Sequence, residues 1–230
     1  MLTLFHQTLC PLSRYVRLIL GEYRIKARQV EERFWERREK FLELNPAGQI
    51  PVLVADGQPA VPGASIIAEY IEETLRPGDD IPRLLPASPG ERVEVRRLAN
   101  WFNEKFHSEV SGPLVSERVF KRHMTLEQGG GPPDTEAMRA ARHNIRYHLA
   151  YIGWLAHTRD WLAGEQLSLA DLAAAAHLSS VDYLGDVPWN ADEIAKNWYA
   201  RVKSRPAFRA ILADTLAGLP PSASYANLDF

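Results

Sequence analysis

Asn45-Pro-Ala-Gly-Gln-Ile-Pro-Val-Leu53 decides how the chain is read, because a short loop there runs straight into an apolar strand. Ile50-Pro51 is the bond that matters. A proline at the head of a buried strand has no amide to give to a ladder, so it belongs at the strand's first position or in a sharp cis turn; cis is the expectation here. Upstream, Pro46 and Gly48 fit a helix stop followed by a turn. Working outward, residues 2–6 read as a strand, and Pro11 sits where a helix begins, its missing amide costing nothing in the first turn. Val16, Leu18, Ile19 and Leu20 give that helix an apolar side. Residues 27–32 read as a second strand, followed by a charged run over 31–40 and a short helix anchored by Phe41, Leu42 and Leu44. Residues 52–54 and 58–61, joined around Asp56-Gly57, read as a hairpin, and residues 65–75 as a helix with Ile67, Tyr70 and Ile71 inward.

Residues 76–90 hold four prolines and two glycines and cannot continue either neighbouring helix, so they are a linker. Beyond it, Val95, Leu98, Phe102 and Phe106 mark one long helix, and Met138, Ala141, Ile145, Leu149 and Ile152 its antiparallel partner. Residues 128–134 form a flexible connection between them. Ser168 and Asp171 have the spacing of a capping box, in which each side chain satisfies the other's backbone amide at a helix start. Residues 192–204 supply a helix with Ile194, Trp198 and Val202 on one face, and Pro206 opens a last one carrying Phe208, Ile211 and Leu212.

Composition excludes several functions. The 230 residues carry a formal net charge of -2, which offers no nucleic-acid surface and no polybasic membrane anchor. No export signal and no apolar run of membrane-spanning length is visible, and a single cysteine fits a reducing cytoplasm. The seven histidines include no H-E-x-x-H pair, so no metal site is expected. His143 and His148 fall on different sides of a helix. The triple glycine at 129–131 lies between helices and lacks the lysine of a phosphate loop.

Cys10-Pro-Leu-Ser-Arg-Tyr-Val-Arg-Leu18, the proline loop, Ala64-Ser-Ile-Ile-Ala-Glu-Tyr-Ile71 and Ser168-Leu-Ala-Asp171 together resemble the glutathione S-transferase superfamily. The resemblance implies an α/β thioredoxin-like N-terminal domain over residues 1–76, a linker over 77–90, an all-α C-terminal domain over 91–219 and a tail over 220–230. It also implies a homodimer. In enzymes of that superfamily a hydroxyl or thiol at the start of the first helix meets the glutathione sulfur, a place Cys10 occupies. A thiol there can have a lowered pKa beside unpaired amides and the positive dipole end, permitting a mixed disulfide with glutathione; the bland reading is a small residue capping a packed helix. Ser13 stands where a resolving thiol would be. Ile50, Pro51 and Ser65 match the positions that hold the peptide. The chain departs at Ala64, where such enzymes carry an acidic residue or Gln that receives the γ-glutamyl end; losing one charge-assisted contact costs about 1.5–3 kcal/mol.

Val187-Pro-Trp-Asn190, Asn197-Trp-Tyr-Ala-Arg-Val-Lys-Ser-Arg-Pro-Ala-Phe-Arg209 and Tyr225-Ala-Asn-Leu-Asp-Phe230 are similar to a division-associated alphaproteobacterial branch of the superfamily. That narrower resemblance implies a non-catalytic cytoplasmic protein, without a cofactor, that binds FtsZ filaments at the division site and alters their curvature or bundling. The alternative is a glutathione-dependent transferase or thiol reductase using Cys10. Two contact surfaces are candidates. Phe34 and Trp35, set among charges, are either partner anchors or rings packed on the short second helix or a dimer partner. Tyr225, Leu228, Asp229 and Phe230 either fill a groove on another protein or fold back over the chain's own helices.

Overall fold

The computed structural model describes residues 1–78, 80–225 and 227. Its first part is a mixed four-stranded sheet with helices. β1 (Leu2–His6) leads into α1 (Pro11–Glu22), which has Pro11 in its first turn, and then into β2 (Arg28–Glu31). A tight turn at Phe34–Glu36 and the short α2 (Glu39–Leu42) precede the proline loop, β3 (Val52–Ala55) and β4 (Val61–Pro62). The strand order is β2-β1-β3-β4, with β2 parallel to β1 and the other two pairs antiparallel. The Ile50-Pro51 bond is cis. Phe5 pairs with Val52 and Val52 with Pro62, so the end of β1, the proline turn and the end of β4 meet at one end of the sheet. Gly63, at φ +91°, then turns the chain into α3 (Ala64–Tyr70), a backbone angle that a side chain would strain.

The second part is all helical. α4 (Pro89–Asn100) continues with wider, π-type winding through Trp101–Ser111 into α5 (Gly112–Arg118), and α6 (Thr135–Thr158) follows with an Asp134 cap. α7 (Leu169–Tyr183) is buried along its whole length and packs on α1. Leu-Ala-Asp-Leu-Ala-Ala-Ala-Ala is apolar on nearly every side, which is how a helix at the centre of a domain reads. α8 (Glu193–Lys203) and the short α9 (Arg209–Leu212) close the chain.

On α8 the expected inward residues Trp198 and Val202 are buried, and Ile194 is the exception. Ile194 is exposed, and the buried side of α8 is Ala195, Trp198, Tyr199, Val202 and Lys203. Asp192 caps this helix and rests on α6 at Gly153, where a Cβ would lie only 2.3 Å from its carboxylate.

The two parts are bolted together by charge. Arg14 and Arg17 of α1 both reach Asp214, at 3.0 and 2.8 Å, and Arg205 grips Glu22 through two bonds of 2.7 and 2.8 Å. Tyr23 adds a link by accepting the Leu84 amide at 2.8 Å.

Candidate functional site: a closed thiol loop beside an anchored tail

The sheet topology brings Cys10, Ile50, Pro51 and the start of α3 to the same end of the first part. Asn45 shapes the loop there: its side chain donates to the Gln49 carbonyl at 2.8 Å and accepts from the Ala47 amide at 3.2 Å. The Pro51 carbonyl accepts from the Gly63 amide at 3.0 Å, tying the cis turn to α3. Among the described residues no hydrogen bond uses the Ile50 amide or carbonyl.

The side chains are less accommodating. Cys10 is only 5 % exposed, and burial pushes its thiol up; hydrogen bonds from Ser13 and the Leu12 amide and the nearby Arg14 offset this only in part. The expected lowering does not occur, because at the N-terminus of α1 desolvation outweighs the dipole. Ala64 is buried and Ser65 exposed. The cavity that Ser65 lines, of about 270 Å³, lies between α3 and α4 against Ile66, Glu69, Arg96 and Asn100, and includes neither Cys10 nor Ile50. Among the described residues no group of three or more His, Cys, Asp or Glu side chains could hold a metal ion.

Phe34 and Trp35 are half-buried, and the ring they share is in the helical part. Both rings pack on Phe120, just after α5, at 5.4 and 5.6 Å, and on each other at 5.1 Å. The Trp35 indole nitrogen is buried without a hydrogen-bond partner among the described residues. From Phe120 the structure leads directly to the tail. Arg118 donates to the Leu184 carbonyl at 2.8 Å and pairs with Asp186, and Gly185 faces Ser222.

Tyr225 is not a surface anchor. It is fully buried, donates to the Ile211 carbonyl at 2.7 Å, meets the Tyr183 ring edge-on at 5.0 Å, and lies 5.5 Å from the Arg14 guanidinium. A tyrosine flanked by small residues finds this slot because α7, α9 and α1 converge there. Leu228, Asp229 and Phe230 lie outside the described residues.

Sequence reasoning missed Lys203 and Asp182, both buried. The Lys203 ammonium donates to the carbonyls of Ser224 at 2.7 Å and Asn227 at 2.8 Å and lies 3.5 Å from Asp182. Its position four residues after Tyr199 on the buried stripe was the available signal. His6 was missed as well. It is buried, and desolvation, with Arg17 adding to it, lowers its pKa to about 4.

A separate band of aromatic side chains lies on α6 and on the segment that continues α4. Trp101 meets Tyr151 at 4.8 Å and Tyr147 at 6.3 Å, and Tyr151 stacks on Trp154 at 6.1 Å. Tyr147 and Trp154 are 59 % and 57 % exposed.

This architecture, with its cis-proline turn facing the start of α1, defines the class, and the chain belongs to the glutathione S-transferase family. Residues 9–74 match the glutathione S-transferase N-terminal domain and residues 110–206 the C-terminal domain. Within that family the chain is 48 % identical to the "FtsZ-localized protein A" of Caulobacter vibrioides, over 99 % of this chain and 98 % of that protein. Among solved structures, "FzlA from C. crescentus" superposes with a TM-score of 0.89 at 49 % identity, covering 100 % of this chain and 99 % of that one. A structure described as a glutathione S-transferase from Sinorhizobium meliloti superposes with a TM-score of 0.95 at 50 % identity over the whole of both chains.

Proposed function

We propose that this protein is a non-catalytic member of its family that binds filaments of the division protein FtsZ at the division site and changes their curvature or bundling. The observation that carries the reading is the end-to-end 48 % identity to a protein named for its localisation with FtsZ. The buried, raised thiol of Cys10 and the apolar Ala64 support it, since both weaken a glutathione enzyme at the positions where one is built. The contact surface is assigned to the C-terminal residues Leu228, Asp229 and Phe230 together with Phe34 and Trp35. Among the described residues, Phe120 carries the aromatic pair, and Arg118, two residues before it, reaches Leu184, next to the Gly185 that faces Ser222.

The protein acts as a homodimer in this reading, with the Trp101–Tyr147–Tyr151–Trp154 band as the face for a second copy. A two-fold axis is the commonest way to cover such a face, and it gives the assembly two equal filament sites. Co-sedimentation of the purified protein with FtsZ polymers tests the reading, beside turnover of standard electrophiles with glutathione by wild type and Cys10→Ala. Pelleting with polymers, unaffected by Cys10→Ala, is expected. Robust turnover that disappears in Cys10→Ala, with no pelleting, decides for the glutathione-dependent transferase or reductase instead.

A further inference from the structure

β2 lies at the edge of the sheet and pairs with β1 alone. Which of its main-chain groups face outward follows from the residue just after it. The Glu32 amide donates to the His6 carbonyl at 2.9 Å and the Glu32 carbonyl accepts from the Gln7 side chain at 3.0 Å, so residue 32 turns its main chain toward β1. Inward and outward positions alternate along a strand. Arg28 and Val30 therefore bond inward, and Gln29 and Glu31 turn amide and carbonyl away from the sheet. Among the described residues no other element takes these groups. The opposite edge is different: β4 is two residues long and ends on Pro62, which has no amide to give.

Charge decides what can pair with β2. Residues 24–40 carry seven lysines and arginines against four glutamates, in a chain of net charge -2. The glutamates of the strand itself are engaged. Glu31 accepts from the Thr8 hydroxyl, and Glu32, fully buried, pairs with Arg38. Lys26 and Arg28 are both exposed, and among the described residues neither side chain has a hydrogen bond or an ion pair. Cations along an edge deter a neutral or basic strand, and the same cations favour a strand of opposite sign.

We propose that β2 is a docking edge for an extended acidic segment of another protein, which adds to the four-stranded sheet as one more strand with an acidic side chain at every second position. The outward groups of Gln29 and Glu31 bond its main chain, and Lys26 and Arg28 select its charge. The alternation follows from strand geometry, in which residues two apart share a face. This surface is separate from the filament reading, and neither depends on the other.

Hydrogen exchange on the full-length protein tests the proposal, using a short synthetic peptide of alternating glutamate and threonine, with a lysine–threonine peptide of equal length as control. The acidic peptide is expected to bind saturably below about 1 mM and to slow exchange at the Gln29 and Glu31 amides by at least about tenfold, and the lysine peptide to do neither. Gln29→Pro removes an outward donor at an edge position where proline is tolerated, so affinity falls by about tenfold while helix content is retained. Arg28→Glu lowers affinity by at least as much. Absence of saturable binding by the acidic peptide overturns the proposal, as does protection confined to other residues. Equal binding of the lysine peptide, or a folded Arg28→Glu that binds like wild type, overturns the selection by charge. A folded Gln29→Pro that binds undiminished shows a peptide held by charge alone and overturns strand addition. Should Gln29→Pro not fold, acidic peptides N-methylated at their odd or at their even positions keep the charge and lose one edge each. If wild type binds both as tightly as the unmethylated peptide, strand addition is overturned.

Discussion

Cys10 and His6 show what burial does to single groups at the end of the sheet. With the Cys10 thiol 5 % exposed and pushed up by desolvation, the thiolate is scarce at neutral pH. Alkylation by iodoacetamide at pH 7.5, followed by mass spectrometry, is expected to be at least about tenfold slower in the native protein than in urea. Equal rates would restore Cys10 as a reactive thiol. His6 makes stability depend on pH with a definite sign. Its folded pKa of about 4 lies below the ordinary 6.5, so between those values the unfolded chain binds more protons, and stability falls as pH falls through that window. The full effect is on the order of 3 kcal/mol, with half-buried His107 and buried His148 and His177 adding in the same direction. Urea titrations between pH 7 and 4 are expected to show a shallower decline in His6→Gln. The cis bond at Ile50-Pro51 was one of the two placements that the proline's missing amide allows, and the structure has it. The burial of Tyr225 was not, because its slot is built by Tyr183, Ile211 and Arg14 from three separate elements.

At the scale of the element, local chemistry was readable and contact between elements was not. The Ser168–Asp171 capping box stands as its spacing indicates, with Ser168 accepting from Ala170 at 3.3 Å and Asp171 accepting from the Ser168 amide at 3.0 Å. Asp171 also takes the Leu162 amide at 2.9 Å and the Trp198 indole at 3.0 Å, which no local pattern announces. Replacing the cap is therefore expected to be milder than replacing its partner. Ser168→Ala costs about 0.5–2 kcal/mol. Asp171→Ala leaves two further buried donors unpaired and costs more, each stranded group adding about 1–3 kcal/mol. Urea unfolding of both variants checks the order, and equal losses would mean that the distant bonds carry nothing. Gly153 carries the same lesson. Inside α6 it reads as a weak point, yet it is the seat for the Asp192 carboxylate that caps α8 by accepting the Ala195 amide at 2.8 Å.

For the molecule as a whole, the ion pairs between α1 and the C-terminal helices, from Arg14 and Arg17 to Asp214 and from Glu22 to Arg205, join the sheet part and the helical part at several points. Under the proposed function such a body would change a polymer by where its binding sites are placed, which would make a second copy decisive. If the aromatic band is the face between copies, a charge at one of its exposed rings will separate them. Trp154, 57 % exposed and stacked on Tyr151, is the position to change, since a surface glutamate there strands no buried partner. In analytical ultracentrifugation wild type is expected to sediment as a dimer and Trp154→Glu as a monomer with unchanged helix content. Losing the second site removes avidity, so the apparent affinity for filaments drops by about a hundredfold while each site's own affinity persists. Bundles scored by electron microscopy should then disappear at protein concentrations where single filaments are still decorated. A monomeric Trp154→Glu that bundles filaments as well as wild type would show that bridging does not come from two-fold pairing through this face.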